Sequence, residues 1–168
     1  MLDWLIIGGG VHGTLLSHHL TVVGEVPPER LRVLDPHPAP LWCWERFTRN
    51  TGMEYLRSPS VHHLARLRVQ GRAAGLSRTP RGLRVETAEG ALEAHRVVLG
   101  GAWVERAIQE QALRCAPCGY PLVDRQLQWA PGLHVSGPLA ELELGPVSRN
   151  IAGARMAAER LVSVARGG

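Results

Sequence analysis

Gly8, Gly10 and Gly13 carry the spacing G-x-G-x-x-G, and Asp35 follows 22 residues after the last of them. Each glycine in that pattern has a separate purpose in a dinucleotide site. The first permits a sharp turn out of a strand. The second lets backbone approach a pyrophosphate where a Cβ would block it. The third lets a helix pack closely on the strand. The helix that follows offers free N–H groups and the positive end of its dipole to phosphate. An acid about 20 residues further on accepts hydrogen bonds from ribose hydroxyls. A glycine-rich turn that only lets a helix pack would leave Gly10 and Asp35 unexplained. The pattern therefore reads as dinucleotide binding. Gly8, Gly10, Val11, His12 and Gly13 stand around the pyrophosphate, with Asp35 and Pro36 at the adenosine ribose.

Other residue groups that could do chemistry weigh less. Cys115 and Cys118 have dithiol spacing. They follow a helical stretch instead of opening one, so they lack the dipole that lowers a thiol pKa, and a structural role is the expectation. The odd count of three cysteines argues against a secreted disulfide framework. The eight histidines show no i, i+4 pair with a carboxylate. His18 and His19 are adjacent on a helix and point apart, so no metal is expected. His62 and His63 are the weak candidates for an acid/base role. No serine sits in a G-x-S-x-G elbow.

The elements that must position these residues are legible in part. Asp3–Ile7 reads as a buried strand ended by glycine. Val11–Val23 reads as a helix, because Val11, Leu15, Leu16, His19, Leu20 and Val23 share one face. "LRVLDP" reads as a second strand, closing a βαβ unit over residues 1–36. From Pro36 to Leu64 the chain reads as irregular. Residues 66–100 read as a small antiparallel meander built from "LRVQGRAAGL", "GLRVETAEG" and "ALEAHRVVLGG", whose last strand rejoins the main sheet. Trp103–Arg114 reads as helical, and residues 133–166 as a closing strand and helix. The fold expected is α/β: one three-layer Rossmann-like domain over residues 1–168, with a parallel sheet and the meander.

About 45% of the 168 residues are apolar, enough for a core. No apolar run approaches the roughly 18 residues of a membrane helix, and a cytoplasmic protein is expected. All 19 positive side chains are arginine. Without lysine, Schiff-base chemistry and a P-loop are excluded. The arginines between Arg57 and Arg84 are scattered without an aromatic stripe, so they read as solvated surface and not as a nucleic-acid face.

On "LIIGGGVHGTLL" with "LRVLDPHP", "HRVVLGGA" and "GLHVSGPLAELELGPVSRNIAGARMAAERL", the chain resembles the flavoprotein superfamily with a Rossmann-type FAD domain. "LWCWERFTRNTGMEYLRSPSVHHL" resembles a loop of the ornithine/lysine-type N-hydroxylating monooxygenases. No second glycine motif follows, so the chain looks like their FAD half with the NADPH domain missing. The resemblance implies FAD as cofactor. It puts Trp42, Trp44 and Arg46 toward the ribityl–flavin end and Ala73 near adenine. Gly101, Gly137 and Pro138 close over the cofactor, Pro138 standing where many members have aspartate. Two functions stay open: a minimal FAD-dependent oxidoreductase, or a non-catalytic FAD- or NAD-binding module acting as subunit or redox sensor. A homodimer or a redox partner protein is expected.

Overall fold

Leu2–Ile7 forms the first strand, β1, and its Trp4, Leu5 and Ile6 are almost wholly buried. The structure, a computed structural model, describes residues 1–39, 41–50, 68–100 and 113–167. Helix α1 (Val11–Val22) returns the chain to β2 (Leu31–Asp35), which pairs parallel with β1. Leu15, Leu16 and Leu20 are the buried face of α1. Each such leucine contributes about 1.5–3 kcal/mol when fully buried. Arg30 reaches back to Asp3 at 2.5 Å and fastens the turn before β2.

Helix α2 (Trp42–Asn50) follows, where the sequence reads as irregular. Three prolines in five residues precede it in the sequence.

The chain then adds β3 (Arg68–Gln70) parallel to β2, and β4 (Ala73–Thr79), β5 (Gly82–Thr87) and β6 (Gly90–Leu99) as an antiparallel meander. The run "LRVQGRAAGL", expected as one strand of the meander, is thus divided. Gly71 donates its N–H to the Asp35 carbonyl at 2.9 Å and turns the chain out of the parallel sheet.

Strand β6 belongs to both parts of one sheet ordered β3-β2-β1-β6-β5-β4. Ala94 pairs with Leu83 of β5 on one edge and with Leu2 of β1 on the other. Further along, Val97–Leu99 keep β1 and exchange β5 for β8 (Leu133–Val135), which also pairs antiparallel with β7 (Gln128–Ala130). The meander is therefore hydrogen-bonded to the main sheet through β6.

The exchange of neighbours takes place at two glycines. A Cβ on Gly82 would overlap the Ala94 carbonyl oxygen, and one on Gly132 would sit 2.6 Å from the His95 carbonyl oxygen. Gly132 also has φ +73.

A short α3 (Glu141–Leu144) leads to α4 (Ile151–Arg166), capped by Asn150, whose side chain accepts from Gly153 N at 3.1 Å. Ala154, Ala157, Ala158 and Leu161 of α4 are fully buried, and α4 packs against α1. Small side chains allow that close helix–helix approach. Among the described residues no helix is long and apolar enough to cross a membrane.

Gly132→Ala is expected to lower stability by about 2–3 kcal/mol in urea unfolding, from left-handed strain plus the clash with His95. Gly75→Ala, whose Cβ meets only the Glu86 side chain at 3.5 Å, is expected within about 0.5 kcal/mol of the parent.

Candidate functional site

Three parallel strands end side by side in glycine. Gly8 follows β1, Gly100 follows β6 and Gly137 stands two residues beyond β8. The strand ends are tied together: Gly8 N donates to Leu34 O, Gly100 N to Ile7 O and Ser136 N to Leu99 O, at 2.9–3.0 Å. Gly8 and Gly137 have φ +111 and +70. Ligands of open α/β sheets bind at this carboxyl edge.

The glycine loop is shaped by two tight approaches. A Cβ on Gly13 would overlap the Gly8 carbonyl oxygen, which brings α1 hard against the end of β1. Gly10 is the opposite case: a Cβ there meets nothing within 4 Å, and the residue is exposed. Gly10 is also the N-cap of α1, with no side-chain cap and no acid in the first turn. The first N–H groups of a helix have no intrahelical partner, so α1 presents uncompensated donors at its N-terminus, with Val11 and His12 in its first turn.

Asp35 sits at the end of β2, 7% exposed. Its Oδ2 accepts from Gly9 N at 2.5 Å and its Oδ1 from His37 N at 2.8 Å. The carboxylate thus braces the glycine loop against β2. Gly9 lies so close that its own Cβ would be 3.1 Å from the Asp35 side chain. Neither Gly9 nor His37 is marked by the motif spacing; the run of three glycines was the only cue.

α2 is attached to the same loop, because Leu41 N donates to Gly9 O at 3.0 Å. Trp42 stacks on His37 with centroids 4.7 Å apart and 9° between planes, and Arg46 Cζ lies 5.5 Å from the Trp42 ring centre. Cys43 Sγ is 3.0 Å from His37 Nε2. Trp44 lies in α2 by its backbone, and its side chain is outside the described part. Pro36 is exposed beside Asp35. Ala73 is buried at the start of β4, two residues after the Gly71–Asp35 link. Gly101, His62 and His63 lie outside the described residues. Pro138 is exposed at the start of a single 3-10 turn, Gly137–Ala140.

His12 joins the loop to β8. Its Nδ1 is 3.0 Å from Ser136 Oγ, 124 residues away, and its ring carbons lie 3.8 Å from where a Gly137 Cβ would be. Its Nε2 is buried without a partner among the described residues. Burial holds the imidazole below its ordinary pKa, so the ring is neutral. Ser136 is invisible to the motif, since its role depends on a contact that only the sheet creates.

The remaining groups stay apart from this edge. Cys115 and Cys118 are free thiols in a hairpin closed by the Cys115–Pro121 bridge. Burial, and then the neighbouring Cys118, push the Cys115 thiol up, away from reactivity. His18 and His19 do not point apart: their rings meet edge to face at 5.7 Å. Among the described residues no three His, Cys, Asp or Glu side chains gather as a metal site.

Solved structures share the fold along almost the whole chain. A thioredoxin reductase from Gloeobacter violaceus matches with a TM-score of 0.59 at 12% identity, covering 99% of this chain and 96% of that one. A ferredoxin-flavin thioredoxin reductase from Clostridium acetobutylicum gives 0.58 at 8% identity, covering 99% and 98%. An oxidoreductase from Agrobacterium tumefaciens gives 0.55 at 12%, covering 99% and 97%. The chain has a Rossmann-like α/β fold. No protein-family model matches the sequence, and no curated protein matches it significantly. At such identities the likeness carries the fold and no more.

A neutral buried histidine makes stability depend on pH in one direction. The unfolded chain takes up protons below about pH 6.5 and the folded chain resists, so stability is full above that value and falls as the solution is acidified. His134 is shifted the same way, chiefly by burial. Urea midpoints are expected to be level from pH 8 to 7 and to drop from pH 6.5 to 5, by at most about 1.4 kcal/mol per pH unit for each histidine. His12→Gln is expected to make that drop shallower.

Proposed function

We propose that the chain binds FAD at the glycine-lined edge and acts as a minimal flavin-dependent oxidoreductase. The observation that carries this is the pairing of an uncapped α1 N-terminus with the open face of Gly10, braced through Gly9 to the Asp35 carboxylate. An open approach to the backbone at Gly10, beside helix N–H groups that have no intrahelical partner, fits a pyrophosphate. FAD is preferred to NAD because the antiparallel meander β4–β6 follows the first βαβ unit, where a plain NAD domain would continue βαβαβ. One of the similar folds is itself named for a flavin.

In this reading the first turn of α1 and Gly10 hold the pyrophosphate, and Asp35 holds the adenosine ribose. Ala73 borders adenine. Trp42, fixed between His37 and Arg46, stands toward the ribityl–flavin end with Trp44, while Gly101, Gly137 and Pro138 close the other side. Bound flavin supplies one- and two-electron transfer, and the chain's part is to place it and exclude water. The electron donor is a redox partner protein or a directly bound substrate, and a second copy of the chain or a partner protein covers the surface left beside the flavin. The narrower likeness to N-hydroxylating monooxygenases rests on residues 41–64, of which 51–64 lie outside the described ones.

Fluorescence titration with FAD tests the reading through Gly10→Ala. Its Cβ has space in the protein, so the unfolding free energy is expected to change by less than about 1 kcal/mol. FAD affinity is expected to fall at least about tenfold, the effect of losing roughly 1.4 kcal/mol of phosphate contact. FAD binding equal to that of the parent would remove the pyrophosphate from this edge. Tight NAD binding with no FAD binding would reject the choice of cofactor.

A further inference from the structure

An open groove of about 490 Å3 lies away from the glycine-lined edge. It is lined by His95 and Arg96 of β6, Gln126 and Gln128, Gly132 and His134 of the β7–β8 hairpin, and Val164 in the last turn of α4. An adjoining hollow of about 420 Å3 shares Arg96, Gln126 and Val164 and runs on past Ser163 to Gly167. Together they form a groove of the size that takes small ligands.

Strand register explains the lining. Trp4 pairs with Arg96 and Val98 with His134, so Trp4, Arg96 and His134 project from one face. Arg96 Cζ sits 5.3 Å from the centre of the Trp4 ring, and the Trp4 and His134 rings are 5.6 Å apart. Trp4 is 1% exposed. The guanidinium is therefore held in place by a fixed aromatic plane. It forms no ion pair with any described carboxylate, whereas Arg30, Arg84, Arg149 and Arg160 all do.

His134 lines the cavity although it is 1% exposed. Its Nδ1 is 3.0 Å from the Gln126 carbonyl oxygen, so Nδ1 carries the proton and donates it. The other nitrogen, Nε2, is then an acceptor, and it has no partner among the described residues. Burial is the main cause keeping this ring neutral, and the charge of Arg96 acts in the same sense. The nearby acid, Asp124, accepts from Gln126 N and Gln128 N at its Oδ1, at 2.9 and 2.8 Å, and its charge acts on His134 in the opposite sense to Arg96. The groove therefore combines a positioned cation, the open nitrogen of His134 and two carboxamides.

We propose that this groove is a binding site for a small organic oxyanion carrying a hydroxyl beside its charge. Arg96 takes the carboxylate or phosphate, and Nε2 of His134 accepts from the hydroxyl. Gln126 and Gln128 supply the remaining polar contacts. The site is separate from the glycine-lined edge and does not rest on the flavin reading.

Imidazole NMR signals of His134 test it, followed while the protein is titrated with L-malate and, separately, with glycerol 3-phosphate. A saturable shift of the His134 signal with one of the two is expected, and the tighter probe identifies the head group. Arg96→Met, which keeps an apolar stem over Trp4, is expected to weaken that probe at least tenfold. Gln126→Ala, at an exposed position, is expected to weaken it about threefold, and it tests the site independently if the Arg96 variant does not fold. Gly10→Ala is expected to leave it unchanged. No movement of His134 with either probe, or equal binding by Arg96→Met, would overturn the proposal. Sodium sulfate binding as tightly as both probes would overturn the hydroxyl contact.

Discussion

How closely α1 can approach β1 decides the shape of the whole carboxyl edge. At Gly13 the helix presses on the Gly8 carbonyl so closely that any side chain would collide. That contact sets the α1 N-terminus directly over the end of β1, without a capping side chain to absorb its N–H groups. Asp35 then does not neutralise the helix; it anchors Gly9 and His37 and so fixes the loop from β2. A second tie, Leu41 N to Gly9 O, carries α2 and Trp42 to the same place. Without the approach at Gly13 neither tie would have a loop to hold.

The other organising element is β6. Its first half completes the meander and its second half lies between β1 and β8, so one strand delivers residues to two distant places. Its last residue leads to Gly100 at the glycine-lined edge, while Arg96, three residues before its end, points into the groove beside Trp4 and His134. Gly82 and Gly132 let β5 and β8 meet the strand at Ala94–His95 without displacing it. Buried alanines on α4 bring that helix against α1 and carry Val164 to the rim of the groove.

What could be read in advance was what depends on short-range pattern. β1, α1 and β2 follow from an apolar run, a helical stripe and glycines at set offsets, and all three formed. α1 stops at Val22, one residue before the expected end, where Gly24 N returns to His19 O. α2 was hidden because its nine residues follow a proline-rich stretch and make too short a segment to stand out from it. β3 and β4 looked like one strand because the turn between them is enforced by Gly71 bonding to Asp35, a contact 36 residues apart. β7 and β8 have three residues each, too short for alternation to be visible. In the site, the glycines and Asp35 were legible by spacing. His37 and Ser136 were not, because their places come from stacking on Trp42 and from β8 lying beside β6.

The central claim is that the glycine-lined edge holds a flavin. The visible absorption spectrum of the purified protein, with mass spectrometry of the ligand released by heat, tests it most directly. Absorption bands near ~450 nm and a released mass equal to FAD are the result expected of a flavoprotein. A colourless protein that takes up no FAD on reconstitution would contradict the account and leave the Gly8–Gly13 loop to another ligand.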